Sequence, residues 1–281
     1  MADTNEPAVE HRDKSAWEER SKAWAKTTAQ GKSQDDTLNQ IIIAEAGIKP
    51  GDHVLDLASG SGNPAVSAAL LMDGQGAITL TDLTEGMLAN ARKRADNLDI
   101  GIMHYCTADM TGLPFGDDTF DVATCRFGIM FPEDKVSAAR ETLRVLKPGG
   151  RVAYMVWDAY DKNPPFFVPR RTIAVFFGED EPPIPPRHAM SAPGTLESIL
   201  KDAGYTDVME KEVSYKNRVD DLDAYVTNGL NRSHGEKIKD LSGERLAELK
   251  QALFDGWAPY SEDGATFVPN CARVGIGVKP S

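Results

Sequence analysis

Three carboxylates and two glycines carry the chemistry legible in this chain. Asp56 sits within the apolar run Val54-Leu55-Asp56-Leu57, just ahead of Ala58-Ser59-Gly60-Ser61-Gly62, while Asp82 and Asp109 end two later apolar runs. Gly60 and Gly62 lack a Cβ, so a ligand can lie against bare backbone there. Asn63-Pro64 then opens the helical run 65–72, whose N-terminus is the positive end of a helix, with Pro64 suited to its first turn. Gly60-Ser61-Gly62-Asn63-Pro64-Ala65 also satisfies a dinucleotide fingerprint, with Asp82 at the expected distance beyond Gly62, so a nicotinamide dinucleotide competes for this turn. Asp56 separates the two readings. A carboxylate there repels a pyrophosphate but accepts from an ammonium, which favours a cofactor bearing an amino-acid group. Asp82, at a strand end beside the glycine turn, is placed to take both hydroxyls of a ribose, with helix capping as its plainer role.

The elements that must position these residues alternate. A helix over 15–28 carries Trp17 and Trp24 on one face, and a second over 34–46 stops at Gly47. Strands over 53–57, 77–82, from 102 and from 120 alternate with helices over 65–72, 84–95 and 133–146. Lys147-Pro148-Gly149-Gly150 is a stop signal with a tight turn before the strand that ends near Trp157. Such alternation predicts an α/β fold with a doubly wound, mostly parallel sheet. Ligands bind outside the carboxyl ends of strands in such sheets, so Arg126, Phe127, Gly128 and Met130 should face the reacting end of the cofactor and the substrate, Arg126 on the cofactor side, with Trp157 at the end of the next strand.

Val54-Leu55-Asp56-Leu57-Ala58-Ser59-Gly60-Ser61-Gly62 resembles motif I of the class I S-adenosylmethionine-dependent methyltransferases. AITLTDLTEGM (77–87), IMHYCTADMTGLPF (102–115), FDVATCRFG and LKPGGR continue the resemblance, which is similar in detail to the quinone-biosynthesis group and extends to about Trp157. It implies a Rossmann-like fold and S-adenosylmethionine as cofactor. Asp56, Ala58, Gly60 and Gly62 would surround the methionine end and Asp82 the ribose. Leu83 and Met87 would lie beside the adenine, with Asp109 accepting from its amino group next to Met110; the plainer role of Asp109 is a turn residue. The resemblance also implies an N-terminal helix closing over the cofactor, with Trp24 as the contact.

Beyond Trp157 the character changes. Residues 158–193 are rich in proline and include Phe166, Phe167, Phe176 and Phe177, which predicts a substrate cover rather than a linker. Residues 194–281 should complete the sheet, with a helical part of the cover at about 220–256, and residues 1–14 should be disordered. His188 and His234 are the candidate general bases, with Tyr215, Tyr225 and Arg232 as polar neighbours; Phe127, Met130, Trp157, Phe167 and Tyr215 are candidates for contacting the acceptor.

With 31 basic and 43 acidic side chains the net charge is −12, which opposes nucleic acid and anionic lipid as partners. The three cysteines form no C-x-x-C pair, so neither a disulfide framework nor a metal site is expected. No membrane span or signal sequence is legible, which predicts a cytoplasmic protein, with a homodimer left open. The expected activity is methyl transfer to a small, partly apolar metabolite by in-line displacement; the alternatives are a non-catalytic or repurposed cofactor binder on the same fold and an NAD-dependent oxidoreductase.

Overall fold

The computed structural model describes Ser15, Trp17, Glu18, Ser21 and residues 36–281, without the Arg232 side chain. Trp24 lies outside the described residues. The described chain divides into two compact units. One comprises residues 36–157, 189–212 and 272–281, and the other residues 158–188 and 213–271.

The first unit is built on strands β1 (His53–Asp56), β2 (Ala77–Asp82), β3 (Met103–Thr107), β4 (Phe120–Arg126) and β5 (Leu146–Trp157). The long strands β6 (Thr206–Val219) and β8 (Ala265–Val278) each run through both units. The sheet order is β3-β2-β1-β4-β5-β8-β6. Pairings through β5 are parallel, and β8 joins β5 antiparallel. This is the doubly wound, mostly parallel sheet that the alternation predicts. Strand order reverses between β1 and β4, so the carboxyl ends of these two strands form the switch-point crevice.

Local sequence explains the element boundaries. Helix α1 (Thr37–Ala46) is capped by Asp36, whose carboxylate accepts from the Leu38 amide, and ends at Gly47 with φ 70°. Helices α2 (Ala65–Met72), α3 (Glu85–Asp96) and α4 (Lys135–Val145) follow β1, β2 and β4. Pro64 immediately precedes α2 rather than opening its first turn. The Lys147–Gly150 stop signal becomes an irregularity inside the β5 assignment: pairing jumps from Phe120–Leu146 to Val122–Arg151, and the residues between loop out with Gly149 at φ 75°. His53 and His104 are solvent-exposed strand positions.

On one face of the sheet the first unit's core holds Leu55, Ala123, Val152 and Tyr154, all fully buried, with Leu196 and Leu200 of helix α6 (Thr195–Ala203) packed with them. The second unit is helical. It contains α5 (Pro164–Phe177), α7 (Leu222–Ile238), α8 (Gly243–Trp257) and the short strand β7 (Ser261–Glu262) paired with β8. Its core holds Val168, Ile173, Val226, Leu249, Leu253 and Trp257. The proline-rich stretch is thus partly helix: Pro164 and Pro165 occupy the first turn, where the missing N–H costs nothing, and Pro169 lies within.

Candidate functional site

β1 ends at Asp56, which its register places between Leu80 of β2 and Thr124 of β4. The side chain is fully buried. Thr124 Oγ1 donates to Oδ1 at 2.7 Å, and Oδ2 has no hydrogen-bond partner. Burial pushes the Asp56 carboxyl well above the usual carboxylate range, against the opposing pull of the Thr124 hydroxyl, the Ala65 amide and Arg126.

Above Asp56 the chain turns through Ala58, at φ 48°, and Gly60, at φ 52°, where an added Cβ would meet nothing within 4 Å. The sequence has the Gly60 and Gly62 amides receive the ligand, and here the structure differs. Gly60 N donates to Asp82 Oδ2 at 3.0 Å, and Gly62 N and Asn63 N both donate to Ser59 O, at 2.8 and 3.2 Å. Gly60 therefore offers open backbone surface, while Gly62 is buried and close to Val66 and Ala91.

Asp82 at the end of β2 accepts from Gly60 N, from Thr84 N at 3.1 Å and from Thr84 Oγ1 at 3.2 Å, so the carboxylate splints the glycine turn to the start of α3. Burial raises its pKa, and the Thr84 and Gly60 amides oppose the rise. Leu83 is half-buried and Met87 buried on the same strand–helix connection. After β3, Asp109 accepts from Thr111 N at 2.9 Å and Thr111 Oγ1 at 2.7 Å in a turn, with Met110 buried in the core behind it. Gly128 locks these loops together: a Cβ there would lie 2.4 Å from Ala58 Cβ and 2.8 Å from Cys125 Sγ.

At the end of β4, Arg126 turns to helix α1, donating to Asn39 Oδ1 at 2.6 Å and Asp36 Oδ2 at 2.7 Å. Asn39 in turn donates to Asn63 Oδ1 and Ser67 Oγ, and Arg94 donates to Ser61 O at 2.5 Å. This polar layer fixes the glycine turn. Phe127 has φ 64°, an unusual conformation for a bulky residue, and stacks face to face on Trp157 with ring centroids 4.1 Å apart. Met130 is half-buried against the core.

The remaining predicted residues lie in the second unit. His188 is buried; its Nδ1 is 2.7 Å from the Asp158 carbonyl oxygen, which fixes the Nδ1–H tautomer, and its Nε2 has no partner. Burial lowers its pKa. Phe167 meets Tyr160 edge to face at 5.9 Å and lies under the Arg171 guanidinium, 4.9 Å from its centroid. His234 sits at a non-helical kink inside α7 with its pKa lowered by burial first and then by Lys237 and Arg170. Tyr215 is half-buried on β6.

Sequence reasoning missed Thr124, Asn39 and Arg94. Thr124 is the partner of Asp56, and only the β1–β4 register could have revealed it.

Residues 33–162 match the model of the ubiE/COQ5 methyltransferase family. The chain is 40% identical over 114 residues to the ubiquinone/menaquinone biosynthesis C-methyltransferase UbiE of Shewanella sediminis, covering 40% of this chain and 45% of that one. It is 34% identical over 187 residues to the UbiE of Idiomarina loihiensis, covering 61% of this chain and 71% of that one. The chain belongs to the ubiE/COQ5 methyltransferase family. It spans about half the length of several curated relatives it matches. Among solved structures, the phosphoethanolamine N-methyltransferase 2 of Haemonchus contortus in complex with S-adenosyl-L-methionine shares the fold at TM-score 0.54 and 19% identity, over 88% of this chain and 53% of that one.

Proposed function

We propose that this protein transfers a methyl group from S-adenosylmethionine to a small, partly apolar acceptor. The observation that carries the reading is the bare, buried Oδ2 of Asp56 at the switch point. A buried carboxyl with one unmet oxygen fits an ammonium and not a pyrophosphate. The turn reinforces this, because the Gly60, Gly62 and Asn63 amides that a dinucleotide would need are already used within the loop. That weighs against the nicotinamide alternative.

In this reading Asp56 holds the amino-acid end and Gly60 lets the ligand approach bare backbone. Asp82 takes the ribose hydroxyls, and Asp109, Met110, Leu83 and Met87 surround the base. The bound cofactor supplies a sulfonium-activated methyl group. The chain's part is alignment and exclusion of water, to which the stacked Phe127–Trp157 pair and Met130 contribute apolar surface. Phe167 and Tyr215 are the acceptor-side candidates in the second unit. His188 and His234, both disposed to remain neutral, are the candidates for taking a proton from the acceptor. The net charge of −12 supports a small-molecule acceptor over nucleic acid. Among the described residues no helix is long and apolar enough to cross a membrane.

Incubation with methyl-labelled S-adenosylmethionine and a metabolite library should place label in a small molecule. Calorimetric binding of NAD with none of S-adenosylmethionine would reverse the cofactor choice, and label only in RNA or protein would overturn the substrate class.

A further inference from the structure

Asp56 is placed unlike any other carboxylate in the first unit. Its Oδ1 is tied to the Thr124 hydroxyl at 2.7 Å, and its Oδ2 is buried without a hydrogen-bond partner. Thr124 is itself 1% exposed, in the middle of the sheet, so water does not substitute for it. The charged and titratable groups facing the pair are few. Arg126 of β4 acts on Asp56, but its guanidinium already serves Asp36 and Asn39. Asp82 of β2 opposes ionisation, the Cys125 thiol of β4 is itself pushed up to about 12 by burial and by Asp56, and α2 contributes only the Ala65 amide. A fully buried ionised carboxylate with one oxygen unmet is costly in such a place, and the neutral acid is the cheaper form until a cation arrives.

We propose that Thr124 is a positioning residue that ties one Asp56 oxygen and leaves the other for an incoming ammonium, so that cofactor binding expels a proton from the Asp56 carboxyl. The proposal rests on the reading of this site as one for S-adenosylmethionine. In the step the carboxylic O–H bond breaks, its electron pair stays on oxygen and the proton passes to the buffer. An N–H···O⁻ contact forms, and nothing is oxidised or reduced. The free protein then holds more protons than the complex, so raising the pH favours binding until the free carboxyl ionises by itself.

The test is titration calorimetry of the full chain with S-adenosylmethionine in two buffers of different ionisation enthalpy, at several values between about pH 5 and 7.5, where the ligand amine stays charged. The wild type should release close to one proton at the acid end and progressively fewer as pH rises. Affinity should climb by up to about tenfold per pH unit where release is complete. Asp56→Asn should bind with no proton release and a flat profile. Thr124→Val, which removes the donor that favours the carboxylate, should extend release to higher pH, and Thr124→Ser should restore the wild-type profile. A merely structural Thr124 would lower affinity or melting temperature without moving that profile. Binding with no proton release at any pH overturns this proposal alone, as does release that persists in Asp56→Asn. Should Asp56→Asn fail to fold, the Val/Ser pair decides. No binding of S-adenosylmethionine by the wild type in any buffer overturns the cofactor reading, and this proposal with it.

Discussion

Each unit buries a titratable side chain with one atom lacking a hydrogen-bond partner, Asp56 Oδ2 in the first and His188 Nε2 in the second, and their surroundings are opposite in kind. Asp56 ends a strand at a switch point, below a turn with open backbone, with cationic and polar side chains in the layer around it. His188 is wedged between the rings of Tyr160 and Phe166, at 5.3 and 5.1 Å, with Nδ1 anchored to a main-chain carbonyl and Arg187 and Arg170 nearby. The first setting makes a group that changes charge when a cation docks. The second makes an imidazole that stays neutral, because burial and two guanidiniums both resist its protonation. Charge readiness and charge refusal are thus separated between the units.

The largest effect on this contrast should come from Gly128→Val. The added side chain has no room between Ala58 and Cys125, and the loops that frame Asp56 must move. Thermal denaturation should show a loss of about 1–3 kcal/mol, with cofactor affinity falling too, while the second unit's His188 environment is untouched. Asp82→Ala comes next. It removes the acceptor of three donors at the turn, and calorimetry should find cofactor affinity reduced at least about tenfold, equivalent to ~1.4 kcal/mol; an unchanged affinity would refute the ribose assignment.

Arg126→Lys sharpens the comparison within the first unit. A lysine does not reproduce the forked contact to Asp36 and Asn39, so stability should drop by about 1 kcal/mol in chemical denaturation. If Arg126 serves only helix α1, the cofactor affinity of the folded variant stays close to wild type. The smallest effect is the pH response of the second unit. The folded-state pKa of His188 lies below its unfolded value, so its contribution is present above about pH 6.5 and is lost as pH falls through the folded value. Melting temperature should therefore decline on acidification with a slope below one proton, and His188→Gln should flatten it; an unchanged slope would show that other groups dominate.

How much of this was legible beforehand depends on how local the signal is. Gly47, the Gly60–Gly62 turn and the carboxylates at strand ends are read directly, because turn chemistry and strand termination are local. Thr124 was not, because one threonine in FDVATCR carries no mark of the register that sets it opposite Asp56. Arg126 pointed to the reacting centre by strand position, yet a partner ninety residues earlier in the chain claims its guanidinium. Gly275 and Gly277 interrupt the apolar pattern of the final strand for a packing reason: side chains there would run into Leu196 of α6 and into Tyr205. Proline content marked 158–193 as a cover without fixing its secondary structure, and two of those prolines stand in a helical first turn, where proline is at home.

The place of β8 in the sheet has a consequence for how the chain reaches this state. It is inserted between β5 and β6 rather than added at an edge, with residue 151 paired to residue 278. Until it docks, β5 presents an unpaired row of backbone donors and acceptors, the kind of exposed template that recruits other chains. Closing that gap requires the ends of a long intervening loop to meet, an entropic cost that falls early and is rewarded late. Any state in which β8 has not docked therefore leaves β5 as an open edge beside the parallel strands.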